Sequence, residues 1–130
     1  MSLRNALLLF ALIIPLTAQA WWNDAWSERR LVLLDTSEAG VATTSAVSGA
    51  VLPVRLHSGN FDFLAAKPDG SDIRLLAAYD KTPLKFHIEK FDGANELALA
   101  WVQVPTLAAN APGGHIWLYY GNEKAPAGGD

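Results

Sequence analysis

A chain of 130 residues with a formal charge of −3 and no cysteine excludes structural disulfides and thiolate metal sites. It carries no basic stripe, which argues against a nucleic-acid partner. Any stable fold must therefore rest on packing of its apolar residues, 51% of the chain.

The first twenty residues read as a secretory signal peptide. Arg4 supplies the positive start, Ala6 to Leu16 is an unbroken apolar run, and Ala18-Gln19-Ala20 is a small-x-small cleavage site. That run is shorter than the roughly 20 residues of a membrane-spanning helix. Cleavage would leave Trp21 to Asp130, with nine basic against thirteen acidic residues and a formal charge of −4. The mature chain has the size of one small β-domain, destined for the periplasm or cell envelope.

Alternation then dominates. Leu31–Leu34, Val51–Leu56, Ile73–Leu76, Leu84–Glu89, Leu97–Val104 and Ile116–Tyr120 are the expected strands. Pro53 points to an edge strand or a strand start. A further strand is sought between Glu38 and Ala50, and one helical turn around Phe61 to Ala66. The connections Asp80-Lys81-Thr82-Pro83, Phe91 to Asn95 and Asn110 to Gly114 have turn chemistry. Short strands so spaced predict an all-β, antiparallel β-sandwich of jelly-roll or immunoglobulin-like type over residues 21–123. Lys124 to Asp130 reads as the start of a linker to a downstream region.

Asp69-Gly70-Ser71-Asp72 invites two readings. Calcium loops place oxygen ligands at alternate positions and finish on a bidentate carboxylate, whereas this stretch has two acids three apart with no such frame. Pro68-Asp69-Gly70 is turn chemistry, with Gly70 free to take positive φ and Asp72 able to bond back to backbone amides. The turn is the simpler reading. Elsewhere the acids nominate no catalytic pair of the kind a glycosidase needs. His57, His87 and His115 lie on different strands, no G-x-S-x-G elbow is present, and no metal or cofactor is expected.

Aromatic residues are more informative. Trp21, Trp22 and Trp26 crowd the mature N-terminus, and Trp101, Trp117, Tyr119 and Tyr120 lie in the last two strands. Large rings fill small cores, and they also stack on sugar rings. Along Ile116 to Tyr120 both strand faces are apolar, so this strand is expected to be central, with one face covered by another module. Trp117 and Tyr119 are the candidate ligand-binding residues, with core packing the alternative for each.

Five stretches, in order, resemble the bacterial and archaeal family catalogued as domain of unknown function 2341. They are Trp26-Ser27-Glu28-Arg29, Asp69 to Arg74, Leu84 to Glu89, Trp101 to Pro105, and Tyr119-Tyr120-Gly121-Asn122. Glu28 stands where an aromatic is usual and Leu75 where phenylalanine is common. The resemblance implies an extracytoplasmic β-rich module of a larger envelope protein. The "WWNDAW" start and "IWLYYGN" end further resemble an architecture in which a lectin-like domain and a proton-channel domain of the MotA/TolQ/ExbB biopolymer-transport type follow. The family brings no catalytic or binding residues to carry over.

The expected function is thus a non-catalytic periplasmic binding or interaction module. Its partners would be downstream domains of the same polypeptide, and a polysaccharide or envelope protein. The alternatives are a carbohydrate-active enzyme domain using Asp72, Glu89 or Glu96, and a purely structural spacer.

Overall fold

A computed structural model describes residues 21–78 and 82–129. The expected signal peptide, and Asp80 and Lys81 of the third connection, lie outside the described residues. Among the described residues there are six strands: β1 (Glu28–Leu34), β2 (Val47–His57), β3 (Arg74–Leu76), β4 (Phe86–Asp92), β5 (Leu97–Leu107) and β6 (Gly114–Tyr120). They form two antiparallel three-stranded sheets, ordered β1-β6-β3 and β2-β5-β4. The protein is an all-β, antiparallel β-sandwich.

The apolar alternation explains the layering. On β5, Ala98, Ala100, Val102 and Val104 face inward and are buried, and on β2 Val54 and Leu56 join them. Ile116, Leu118 and Tyr120 of β6 and Leu75 of β3 meet them from the other sheet. Alternate side chains in the middle of these strands are thereby withdrawn from water, worth about 25 cal/mol per Å² of apolar surface. β6 and β5 are the central strands of their sheets. Pro53 lies in β2, an edge strand, where a missing N–H costs no ladder bond on the open side.

Two expectations about local structure change. The segment between Glu38 and Ala50 adds no separate strand; Val47 to Ala50 extend β2 and pair with the end of β5. Phe61 to Ala66 form turns, with Ala65 N–H donating to the Asp62 carbonyl at 3.1 Å. A helix would send Phe61 and Phe63, two residues apart, in divergent directions. Instead both are buried. Their rings meet at 4.8 Å, and Phe61 lies 4.0 Å from the Tyr120 ring. Closing the end of the core overrides local propensity here.

Candidate functional site

The Asp-Gly-Ser-Asp stretch is a turn. Gly70 has φ of 71°, its N–H donates to the Lys67 carbonyl at 2.9 Å, and Ile73 N–H donates to the Gly70 carbonyl at 3.2 Å. A side chain at Gly70 would strike the Phe91 ring, so the position needs glycine for space as well as for conformation. Asp69 Oδ1 accepts the Ser71 N–H at 3.0 Å. Asp72 does more than local turn-closing. Its side chain is completely buried, and its oxygens accept backbone N–H groups from Lys67 (3.2 Å), Gly121 (2.8 Å) and Asn122 (3.0 Å). Its own carbonyl accepts the Trp26 indole N–H at 2.6 Å. One carboxylate therefore ties the turn to the end of β6. Charge-assisted bonds of this kind are the strong ones.

The two outer faces of the sandwich differ. On the β1-β6-β3 sheet, a second cluster of Trp26, Leu76, Tyr119 and Ala125 forms outside the main core, with Trp22 and Trp117 packed against it. The rings of Trp21 and Trp22 each lie 5.3 Å from that of Tyr119. The Tyr119 hydroxyl accepts the Trp22 N–H at 3.0 Å and an Arg29 guanidinium N–H at 3.2 Å. The Arg29 guanidinium sits between two indoles, 4.7 Å from Trp21 and 4.1 Å from Trp117. From the other end of the chain, Ala125 is buried. Its carbonyl accepts the Lys67 ammonium at 3.0 Å, and the Pro126 carbonyl accepts an Arg74 N–H. Ala125 and Pro126, in the stretch read as the start of a linker, thus contact the domain.

This arrangement corrects one of the two candidate ligand residues. Tyr119 has 0% of its surface exposed and no ring face open to a ligand, because Trp21 and Trp22 fold over it. Trp117 is half-buried, with Arg29 over its ring and His115 at 5.9 Å. The sequence predicts another module over this face; among the described residues, Trp21, Trp22 and Ala125 of the chain itself cover the part around Tyr119. Leu31 and Leu33 of β1, 53% and 59% exposed, stay open on the same side.

On the β2-β5-β4 sheet the outer face is open among the described residues. Trp101 is half-buried at its centre, opposite Pro53 on one side and His87 on the other. Its indole N–H donates to Glu89 Oε1 at 3.0 Å. A β-bulge between Ile88 and Lys90 puts an extra residue into β4 at this level. Arg55, Lys85, Glu89, Lys90 and Gln103 are exposed around the ring. A shallow cavity of about 210 Å³ beside it is lined by Val51, Lys85, Phe86, His87, Trp101 and Gln103. Sequence reasoning passed over Trp101. The two parities of Leu97 to Val104 are Leu, Leu, Trp, Gln and Ala, Ala, Val, Val, both largely apolar, so no local pattern marks Trp101 as facing outward.

The acids named for an enzyme do not share one site. Asp72 is spent on backbone amides, Glu89 holds Trp101, and Glu96 sits in the β4–β5 turn with φ of 56°. Glu89 does line a cavity of about 400 Å³ with Asp69, between the turn and the edge of β4 and beside Ala127 to Gly129. Hydrogen bonds from the Asn95 side chain and then from its backbone N–H hold the Asp92 carboxyl below the usual carboxylate range. Ser37 acts on Asp35 in the same way. The three histidines lie on β2, β4 and β6. Among the described residues no group of three or more His, Cys, Asp or Glu side chains is placed to hold a metal, and no helix is long and apolar enough to cross a membrane.

No curated protein and no solved structure matches the chain. A family match begins at Asp69 and so takes in Asp72 with the Gly121 and Asn122 amides it holds, and Glu89 with Trp101, while Trp26 to Arg29 lie outside it. Residues 69–130, just under half of the chain, match the family described as a domain of unknown function (DUF2341).

Proposed function

We propose that the protein is a non-catalytic, exported binding module of a larger cell-envelope protein. It holds a polysaccharide on the outer face of the β2-β5-β4 sheet. The observation that carries this is Trp101: an indole bonded to Glu89 on an exposed sheet face, with Arg55, Lys85, Lys90 and Gln103 around it. Buried core rings do not need such a setting, and a stacking platform does. Export rests on the Arg4, Ala6–Leu16 and Ala18-Gln19-Ala20 pattern. The parent protein would be of the MotA/TolQ/ExbB biopolymer-transport type, on the strength of the resemblance of its two ends. Its downstream domains, lectin-like and proton-channel, would then be partners on the same polypeptide.

The test is tryptophan emission and retardation in gels containing soluble glycans, compared with Trp101→Ala. A glycan that shifts the emission and retards the native chain, with both effects lost in the variant, is the expected result. No response across a broad panel removes the reading. Glycan hydrolysis abolished by Glu89→Gln or Asp69→Asn would replace it with an enzyme acting at the cavity those two acids share.

A further inference from the structure

We propose that the ligand of the β2-β5-β4 face is an acidic glycan, a polymer of uronic-acid-type sugars. Carboxylates along it would meet Arg55, Lys85 and Lys90 while one sugar ring stacks on Trp101. The inference deepens the polysaccharide reading and rests on it.

Register places the charges. Arg55 pairs with Leu99, and Leu99 with Lys90, making one row across the three strands. The next row is Pro53, Trp101 and His87, and the one after it joins Val51 to Gln103. Gln103 N–H donates to the Lys85 carbonyl at 2.9 Å, which sets Lys85 at the end of that third row. Same-face residues along a strand repeat at about 7 Å, and directly opposed neighbours stand about 5 Å apart. Cations thus flank the indole on both sides along the strand direction, each about one row away.

The sign of this face runs against the chain as a whole. The mature chain has a formal charge of −4, yet here three cations surround a single platform with Glu89 as the nearby acid. Glu89 already accepts the Trp101 indole N–H. Asp92, at the end of β4, lies one row beyond Lys90 and interacts with its charge. Arg55, Lys85 and Lys90 against the two acids Glu89 and Asp92 leave this face at +1 within an acidic chain, so the complementary ligand is an anion. The apolar part is the indole with Val51, Pro53, Leu97 and Leu99, and it is interleaved with Arg55, Lys85 and Lys90, whereas the core of a protein interface is poor in charge. A sugar ring suits it: its C–H face meets the electron-rich face of the indole, and its carboxylate and hydroxyls reach the surrounding donors.

The experiment measures binding of the full chain to polygalacturonate and alginate, with methyl-esterified polygalacturonate and dextran as uncharged counterparts. Each is run in low salt and at about 0.5 M salt, where exposed charges are screened within a few Å. At least one acidic polymer should bind, several-fold more weakly in high salt, with the esterified form weaker still. Trp101→Ala should weaken binding about tenfold or more, Trp101→Phe much less, and Arg55→Gln with Lys85→Gln several-fold. Thermal unfolding checks that each variant is folded, and the Phe and Gln variants stand if the Ala variant is not. Equal binding of charged and esterified polymer, insensitive to salt, overturns the acidic ligand and leaves glycan binding in place. Acidic-polymer binding untouched by any of these substitutions overturns the site. Binding of none of the four polymers overturns both the inference and the reading beneath it.

Discussion

The outer faces of the two sheets begin from similar material and end differently. Each carries an aromatic on its central strand, Tyr119 on β6 and Trp101 on β5, with arginine or lysine close by. On the first face the chain's own ends fold back, so Tyr119 becomes core and Arg29 is held between indoles. On the second nothing among the described residues folds back, so Trp101 keeps an open face. The lesson is that strand parity assigns a ring to a face, while the route of the flanking chain decides whether that face is core or surface.

The comparison breaks most severely at Asp72. Asp72→Ala leaves partly buried amides of Lys67, Gly121 and Asn122 without their acceptor and should cost about 3 kcal/mol in denaturant unfolding. It also frees the ends that cover the first face, which faster limited proteolysis near Trp26 would register. A loss under about 1 kcal/mol would mean that the carboxylate does not hold the covering segments. Tyr119→Phe keeps the ring but removes the acceptor used by Trp22 and Arg29. The expected loss is about 1–2 kcal/mol, with the Trp21-Trp22 segment more open to protease. Trp101→Ala should cost under about 1 kcal/mol, since a half-exposed surface ring shares few core contacts. A loss as large as that of Asp72→Ala would place Trp101 in the core and end the contrast.

The smallest effect concerns acid. Asp92 has its pKa lowered by Asn95, so it stabilises the fold above the usual carboxylate range, near 4. That contribution is lost as pH falls through the lowered value in the folded state. Asp92→Asn should slightly flatten the acid limb of the stability curve and, by removing the negative charge beside Lys90, leave neutral-pH binding of an acidic polymer at Trp101 unchanged or slightly tighter. Weaker binding would extend the site to the β4–β5 turn.

Much of the architecture was legible in the residues. The alternation of Leu97 to Val104 and of Leu84 to Glu89, with turn residues between, predicts the strands that form. The doubly apolar Ile116 to Tyr120 predicts a central strand, which β6 is. The site was less legible. Trp117 and Tyr119 were the natural candidates because both faces of β6 are apolar, yet Trp21 and Trp22 reach Tyr119 from almost a hundred residues away. No local pattern encodes that return. Asp72 was readable as a turn residue, but not as the acceptor of Gly121 and Asn122, about fifty positions on. Gly121, with φ of 86° and a side-chain position that would strike Ser27, likewise declares its need only once the N-terminus is in place.

Side-chain period and turn chemistry act within a few residues, so sequence alone determined that this protein is a cysteine-free antiparallel sandwich with Asp-Gly-Ser-Asp as a turn. Which surface is buried and which is offered depends on contacts between distant segments: the N-terminal tryptophans, the Ala125 tail and the Asp72 carboxylate. Tertiary structure alone decided that Tyr119 would be core and Trp101 half-exposed on an outer face, because only the folded chain brings those segments together.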